Sequence, residues 1–211
     1  AFPPPVLGGK EKQAYLLTTH LSQGKLIKVA VLSFYFSKSQ DTSHESLYVY
    51  RIKKSIFYLG ELFYQIIKNR NNFSIIHIHT PSRIGKFVAI ISKIFFYKVF
   101  FKIPNQGLTS MNNIKGILDY LFFNFFVDKI VILENQTKAY FSGFKALRDK
   151  ILMISNGVKL KKQKIYSKSL EEIKLVYVGR LVEQKGMNEI LSFLLKLKNI
   201  NHKFSIDIVG D

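Results

Sequence analysis

Apolar positions along this chain follow two alternating spacings. Residues 26–34 are apolar and β-branched and read as a strand, after which Ile56, Leu59, Phe63, Ile66 and Ile67 recur at helical intervals. Residues 73–79 return to strand, Ile84, Phe87, Val88, Ile91, Ile94 and Phe95 mark a helix over 83–97, and 98–103 is strand again. The pattern continues through a helix at 114–126, a strand at 129–133, a helix at 136–144 and a strand at 150–154. Ahead of all these, a helix over 10–21 places Ala14, Leu17 and Leu21 on one face. Towards the other end come a strand at 173–178, a helix at 187–199 carrying Ile190, Leu191, Leu194 and Leu197 on one stripe, and a strand at 204–209. Such alternation predicts an α/β chain with right-handed βαβ crossovers and doubly wound, mostly parallel sheets. The near-continuous apolar strand Lys129-Ile130-Val131-Ile132-Leu133 suits burial on both faces.

The pattern stops between 159 and 172, where Lys159, Lys161, Lys162, Lys164 and Lys168 dominate. This stretch is expected to be a solvated basic linker between a first domain, 1–158, and a second that begins at 173 and runs to 211. A strand is expected ahead of the loop Phe2-Pro3-Pro4-Pro5-Val6-Leu7-Gly8-Gly9, because glycine-rich loops of this kind join a first strand to a first helix. Gly210-Asp211 reads as the start of a further loop, and two strands with one helix do not close a sheet-based domain. The chain is therefore expected to be a fragment of a larger protein, inactive by itself.

Composition narrows the class. Hydrophobic residues make up 47% of the 211, ample for a buried core. Cysteine is absent, which excludes disulfides and thiolate metal sites and suits a reducing compartment. Lys and Arg total 32 against 14 Asp and Glu, a net charge of +18, and that field favours polyanions: nucleotide diphosphates, anionic lipid or nucleic acid. The abundance of Lys, Asn, Ile, Phe and Tyr also fits a genome rich in A and T, which would raise the charge without reference to a partner. No apolar run approaches the roughly 20 residues of a membrane-spanning helix. The longest, 118–133, is broken by Asp119, Asn124, Asp128 and Lys129. The chain opens with no basic-then-apolar leader pattern, so a cytoplasmic protein is expected.

Three segments carry candidate chemistry. In Val178-Gly179-Arg180-Leu181-Val182-Glu183-Gln184-Lys185-Gly186, Arg180 and Lys185 fall in the connection from a strand to a helix, at the carboxyl edge where open α/β sheets bind ligands. A guanidinium fork and an ammonium suit one diphosphate. Taken alone, the segment also reads as a solvated polar loop. Gly8 and Gly9 precede the helix at 10–21, where glycine permits close backbone approach and exposed amides favour anions; an ordinary turn after prolines explains them equally well. His77 and His79 alternate with Ile76 and Ile78, so they share one side of a strand end. Without a third ligand nearby in sequence, metal binding is not expected, and a core histidine is the plain alternative.

Four segments, in order and spacing, resemble the family 4 glycosyltransferases, retaining enzymes of GT-B architecture with two Rossmann-like domains. These are 2–9, His77-Ile78-His79-Thr80-Pro81, Ile154-Ser155-Asn156-Gly157-Val158 and 178–186. The resemblance implies transfer of a sugar from a nucleotide diphosphate donor to a glycan or lipid-linked acceptor, with retention of configuration. Arg180 and Lys185 would then stabilise the departing diphosphate in place of a divalent metal, and no other cofactor is expected. His79 would face the sugar or acceptor as a hydrogen-bonding group, Gly8 and Gly9 would contact the transferred sugar and its phosphates, and Gly210 would open a loop near the nucleotide. The implied setting is bacterial surface polysaccharide or lipopolysaccharide assembly at the inner face of the cytoplasmic membrane. The family's glutamate pair would lie beyond Asp211, while Lys159 stands where Asp is usual and Leu133 where Ser is usual.

Two rivals compete. A non-enzymatic nucleic-acid-binding protein would suit the charge and the 14% aromatics, but Phe63, Phe87 and Phe95 fall at core positions of helices, so nucleic acid is not expected as a partner. A sugar-nucleotide epimerase would carry a Gly-x-Gly-x-x-Gly turn, and the sequence has none. On the helix at 83–97, Arg83, Lys86, Ile90, Lys93 and Tyr97 share a side, an arrangement suited to an anionic membrane surface or to solvent.

Overall fold

Helices and strands follow the two apolar spacings. A computed structural model describes residues 9–24, 26–35, 47–53, 55–79, 81–103, 117–141, 143–158, 173–179, 181–199 and 203–210. Contacts divide the chain into two units, Ala1–Lys159 and Leu160–Asp211. In the first unit, helix α1 (Gly9–Gln23) precedes strands β1 (Ala30–Tyr35) and β2 (Tyr48–Lys53). There follow α2 (Tyr58–Lys68), β3 (Ile75–Ile78), α3 (Arg83–Ile94), β4 (Lys98–Ile103), α4 (Ile117–Phe126), β5 (Lys129–Ile132), α5 (Asn135–Phe141), a 3₁₀ turn (Lys145–Lys150) and β6 (Ile151–Met153). The second unit holds β7 (Ile173–Val178), a 3₁₀ turn (Glu183–Lys185), α6 (Met187–Asn199) and β8 (Phe204–Val209).

Among the described residues, every strand pairing is parallel: β1 with β2, the row β3-β4-β5-β6, and β7 with β8. Parallel neighbours need a crossover, and helices supply it between β3 and β4, β4 and β5, and β7 and β8. The chain is thus the parallel α/β fold that its sequence predicts.

Alternation along β4 fixes the main core. Val99, Phe101 and Ile103 are buried on one face, joined by Ile78, Ile130 and Ile132 of the neighbouring strands and by Ala89, Phe122 and Phe123 of α3 and α4. Aromatic rings set its geometry, with Phe101 edge-on to Phe122 at 5.8 Å and to Phe123 at 5.6 Å, and Phe123 edge-on to Phe141 at 5.6 Å. A second cluster joins Ile52, Leu62, Ile66, Ile91 and Tyr97.

The polar residues that interrupt the apolar run at 118–133 are structural. Asp119 pairs with Lys86, and Asp128 accepts from Lys93 Nζ at 2.5 Å while its other oxygen accepts from the Val99 amide at 2.8 Å. Burial works against ionisation of Asp128, but the Lys93 bond, the Val99 amide and the Lys150 charge outweigh it and hold the carboxyl below its ordinary range. Lys150 Nζ donates to the carbonyls of Phe123, Asn124 and Val127, satisfying the open carboxyl end of α4.

Several expectations are corrected. Strand β2 was not foreseen, and β1 starts at Ala30 because the chain turns at Gly24, leaving Leu26 94% exposed. Helix α3 ends at Ile94. Its last turn closes with Tyr97 N–H donating to Ser92 O and Phe96 N–H to Lys93 O, and Phe96 takes a left-handed φ of 66° where glycine is usual. Tyr97 is therefore buried, its hydroxyl donating to Ile66 O at 2.7 Å. With Lys86 and Lys93 engaged by α4 and the segment after it, Arg83, Lys86, Ile90, Lys93 and Tyr97 do not make one free basic face. Phe63, expected in the core, is 41% exposed and touches Phe95 edge-on. Among the described residues, no helix is long and apolar enough to cross a membrane.

Candidate functional site

Two sheet edges carry the candidate residues, one in each unit. In the first unit, parallel register sets His77 opposite Phe100 and Ile78 opposite Phe101, and His79 follows β3 directly as Lys102 follows Phe101 in β4. Alternation puts His77, His79, Phe100 and Lys102 on the face opposite Ile78 and Phe101, the core residues. The two imidazoles lie 4.2 Å apart, and Phe100 meets His77 edge-on at 6.4 Å. Lys102 Nζ donates to Asn156 Oδ1 at 2.7 Å, reaching past β5 to the turn that follows β6. Helix α3 begins four residues after His79, capped by Ser82, whose hydroxyl accepts from the Gly85 amide at 3.0 Å.

This edge is electrostatically unusual. Burial lowers the pKa of His77 to about 4 with help from the Lys102 charge. His79 falls to about 3, chiefly by burial, with His77 and Lys102 adding to it. Burial also lowers Lys102. Both imidazoles are thus neutral at pH 7, each offering one N–H and one lone pair, and neither is placed to act as a strong base. His77 Nε2 is buried with no hydrogen-bond partner among the described residues.

A pH dependence follows from these shifts. The unfolded histidines take up protons near pH 6.5, which the native rings refuse until about pH 4 and 3. Their contribution to stability is therefore expected to be full above pH 6.5 and to be lost as the pH falls from there through about 4 and 3. Histidine ring NMR signals followed from pH 8 to 5 should show His77 and His79 unmoved; midpoints near 6.5 would contradict the burial argument.

In the second unit, the Gly179 amide donates to Val209 O at 3.0 Å, so the loop after β7 and Gly210 after β8 leave the same carboxyl edge. Within that loop the Glu183–Lys185 turn is closed by the Lys185 amide on Val182 O, and Gly186 follows at φ 78°, a left-handed conformation that favours glycine. A Cβ added at Gly179 would stand 3.2 Å from Tyr177 Oη. Lys185 is exposed, as is Gly210.

Arg180 and Gly8 lie outside the described residues. Gly9 is the first residue of α1, exposed, with nothing within 4 Å of an added Cβ. The structure thus gathers His77 and His79 with Lys102 and Asn156, and separately sets Lys185 and Gly210 in the second unit. Lys102 was missed in the sequence, although a lysine before the last residue of a buried parallel strand was the available signal. Among the described residues, no three His, Asp or Glu side chains gather as metal ligands.

No protein-family model matches the chain, and no curated protein does. Solved structures share its fold. A crystal structure of HepE from Anabaena in complex with UDP and glucose superposes with a TM-score of 0.57 at 14% identity, over 86% of this chain and 61% of that one. A second, in complex with UDP, gives 0.51 at 12% identity, over 85% and 69%. This chain therefore spans less than two thirds of the length of the first of these neighbours.

Proposed function

We propose that the chain belongs to a nucleotide-sugar glycosyltransferase of GT-B type, of family 4 and retaining. The observation that carries this reading is the shared fold with HepE, a protein crystallised with UDP and glucose. Residues 1–158 form the acceptor-side domain, 159–172 the basic linker, and the residues from 173 open the domain that holds the donor. In this reading, negative charge grows on the diphosphate as its bond to the anomeric carbon breaks. Arg180 and Lys185 stabilise that charge more than they stabilise the bound donor, without a divalent metal. Gly210 and the Gly8–Gly9 loop approach the substrate through backbone, and His79, uncharged, holds the sugar or acceptor by a hydrogen bond.

The acceptor in this reading is a glycan or lipid-linked sugar in bacterial surface polysaccharide or lipopolysaccharide assembly, met at the inner face of the cytoplasmic membrane by a peripheral protein. Titration of the full-length protein with UDP- and GDP-sugars and with a short RNA tests the class. Saturable binding of one sugar nucleotide is expected, surviving salt that removes the RNA. RNA binding without any sugar-nucleotide binding would replace this reading with the nucleic-acid-binding one.

A further inference from the structure

We propose that Lys102, His77 and His79 form an anion subsite of the first unit that takes a phosphoryl group of the acceptor, so that the acceptor is a phosphate-bearing molecule. This rests on the glycosyltransferase reading for the word acceptor, but the subsite itself rests on geometry. Three nitrogen-bearing side chains share one face at the carboxyl edge of the β3-β4 pair, with the imidazoles 4.2 Å apart and Lys102 directly after Phe101 in β4. Lys102 is half-buried, and its ammonium is held at one point by Asn156 Oδ1, a neutral acceptor. The Lys102 cation acts on both imidazoles, though on His79 less than burial and His77 do.

A half-buried ammonium beside two neutral rings is met among the described residues only by the neutral Asn156 oxygen, and an anion would match its charge. Two further features point to the same ligand chemistry. His77 Nε2 is a buried ring nitrogen lacking a partner among the described residues, and it can donate to a phosphoryl oxygen in the tautomer that protonates it. The amino end of the twelve-residue helix α3 leaves the same edge soon after His79, adding the positive end of a helix dipole. A carbohydrate hydroxyl can accept from the imidazoles or from the ammonium but brings no charge to match that of Lys102. A phosphoryl group engages all three.

The test uses the full chain, with inorganic phosphate and UDP as separate probes and histidine ring NMR signals as the readout. Phosphate should move the His77 and His79 signals saturably and raise the pH at which these rings protonate, because an adjacent anion favours the charged form. Lys102→Gln should weaken phosphate binding about tenfold or more, the equivalent of one charge-assisted hydrogen bond. Lys102→Arg, which keeps the charge, should retain most of the binding. UDP affinity should stay within about twofold of the parent in Lys102→Gln. The proposal is overturned if phosphate leaves both histidine signals unmoved, or if Lys102→Gln binds phosphate like the parent. Parallel loss of phosphate and UDP would assign Lys102 to the donor diphosphate and overturn the acceptor assignment. Should Lys102→Gln fail to fold, the parent's signals and Lys102→Arg decide the matter. Failure of UDP to bind the parent chain would count against the glycosyltransferase reading and leave the phosphate result standing.

Discussion

Replacing Phe101 by Ala is expected to lower the stability of the first unit by about 3–5 kcal/mol, the loss typical of a large aromatic removed from a close-packed core. Phe101 is 1% exposed on the central part of the β3-β4-β5-β6 sheet, and its ring touches both Phe122 and Phe123. Strand β4 is pinned on both sides by parallel neighbours, so the backbone has little freedom to collapse into the space left behind. Phe125, on the same helix as Phe122 and Phe123, is 62% exposed, and Phe125→Ala should change stability by no more than about 0.5 kcal/mol. Urea unfolding at pH 7 reads both variants. A loss below about 1 kcal/mol for Phe101→Ala, or a matching loss for Phe125→Ala, would contradict this account of the core.

The period-2 and period-3.6 spacings were enough to read the parallel α/β plan. They gave β4, β7, α6 and β8 their observed limits, because in these segments apolar pattern and flanking polar residues agree. Strand β2 escaped because Tyr48-Val49-Tyr50-Arg51-Ile52-Lys53 follows a long polar stretch and mixes charge with aromatics, so that no apolar run announces it. The end of α3 escaped for another reason. Its apolar stripe continues into Phe95, and the residue that turns the chain is Phe96 rather than a glycine. Once the turn is closed, Tyr97 faces the core, and a basic stripe drawn through 97 has no physical continuation.

The candidate site was legible in part. The pairing of His77 with His79 on one side follows from strand alternation alone. The link from Lys102 to Asn156 spans 54 residues and depends on β5 lying between β4 and β6, which no local pattern encodes. Asp119 and Asp128 looked in the sequence like mere interruptions of an apolar run. Their partners, Lys86 and Lys93, stand one helix away, and a pairing of that kind is set by packing rather than by spacing.

On the proposed glycosyltransferase reading, Arg180→Ala is expected to have the largest functional effect. The Gly179 amide is tied to Val209 O at the carboxyl edge of the second unit. In the proposed reading, the Arg180 guanidinium would meet the diphosphate by two parallel hydrogen bonds, with a benefit that grows as charge moves onto the leaving group. In the full-length protein, sugar transfer should fall by about 10²–10³, in the range seen when one preorganised donor to a developing anion is removed. Ground-state donor binding should fall less, by about tenfold, because the contact is strongest in the transition state. Lys185→Ala should act in the same direction through a single point charge.

Donor titration tests the proposal that Arg180 meets a sugar nucleotide. Parent and Arg180→Ala proteins are titrated with the preferred UDP- or GDP-sugar and with a short RNA at fixed salt. A loss of about tenfold is expected for the sugar nucleotide, with RNA affinity changed only slightly by the removal of one charge among many. Equal weakening towards both ligands, or an unchanged response to the sugar nucleotide, would contradict it.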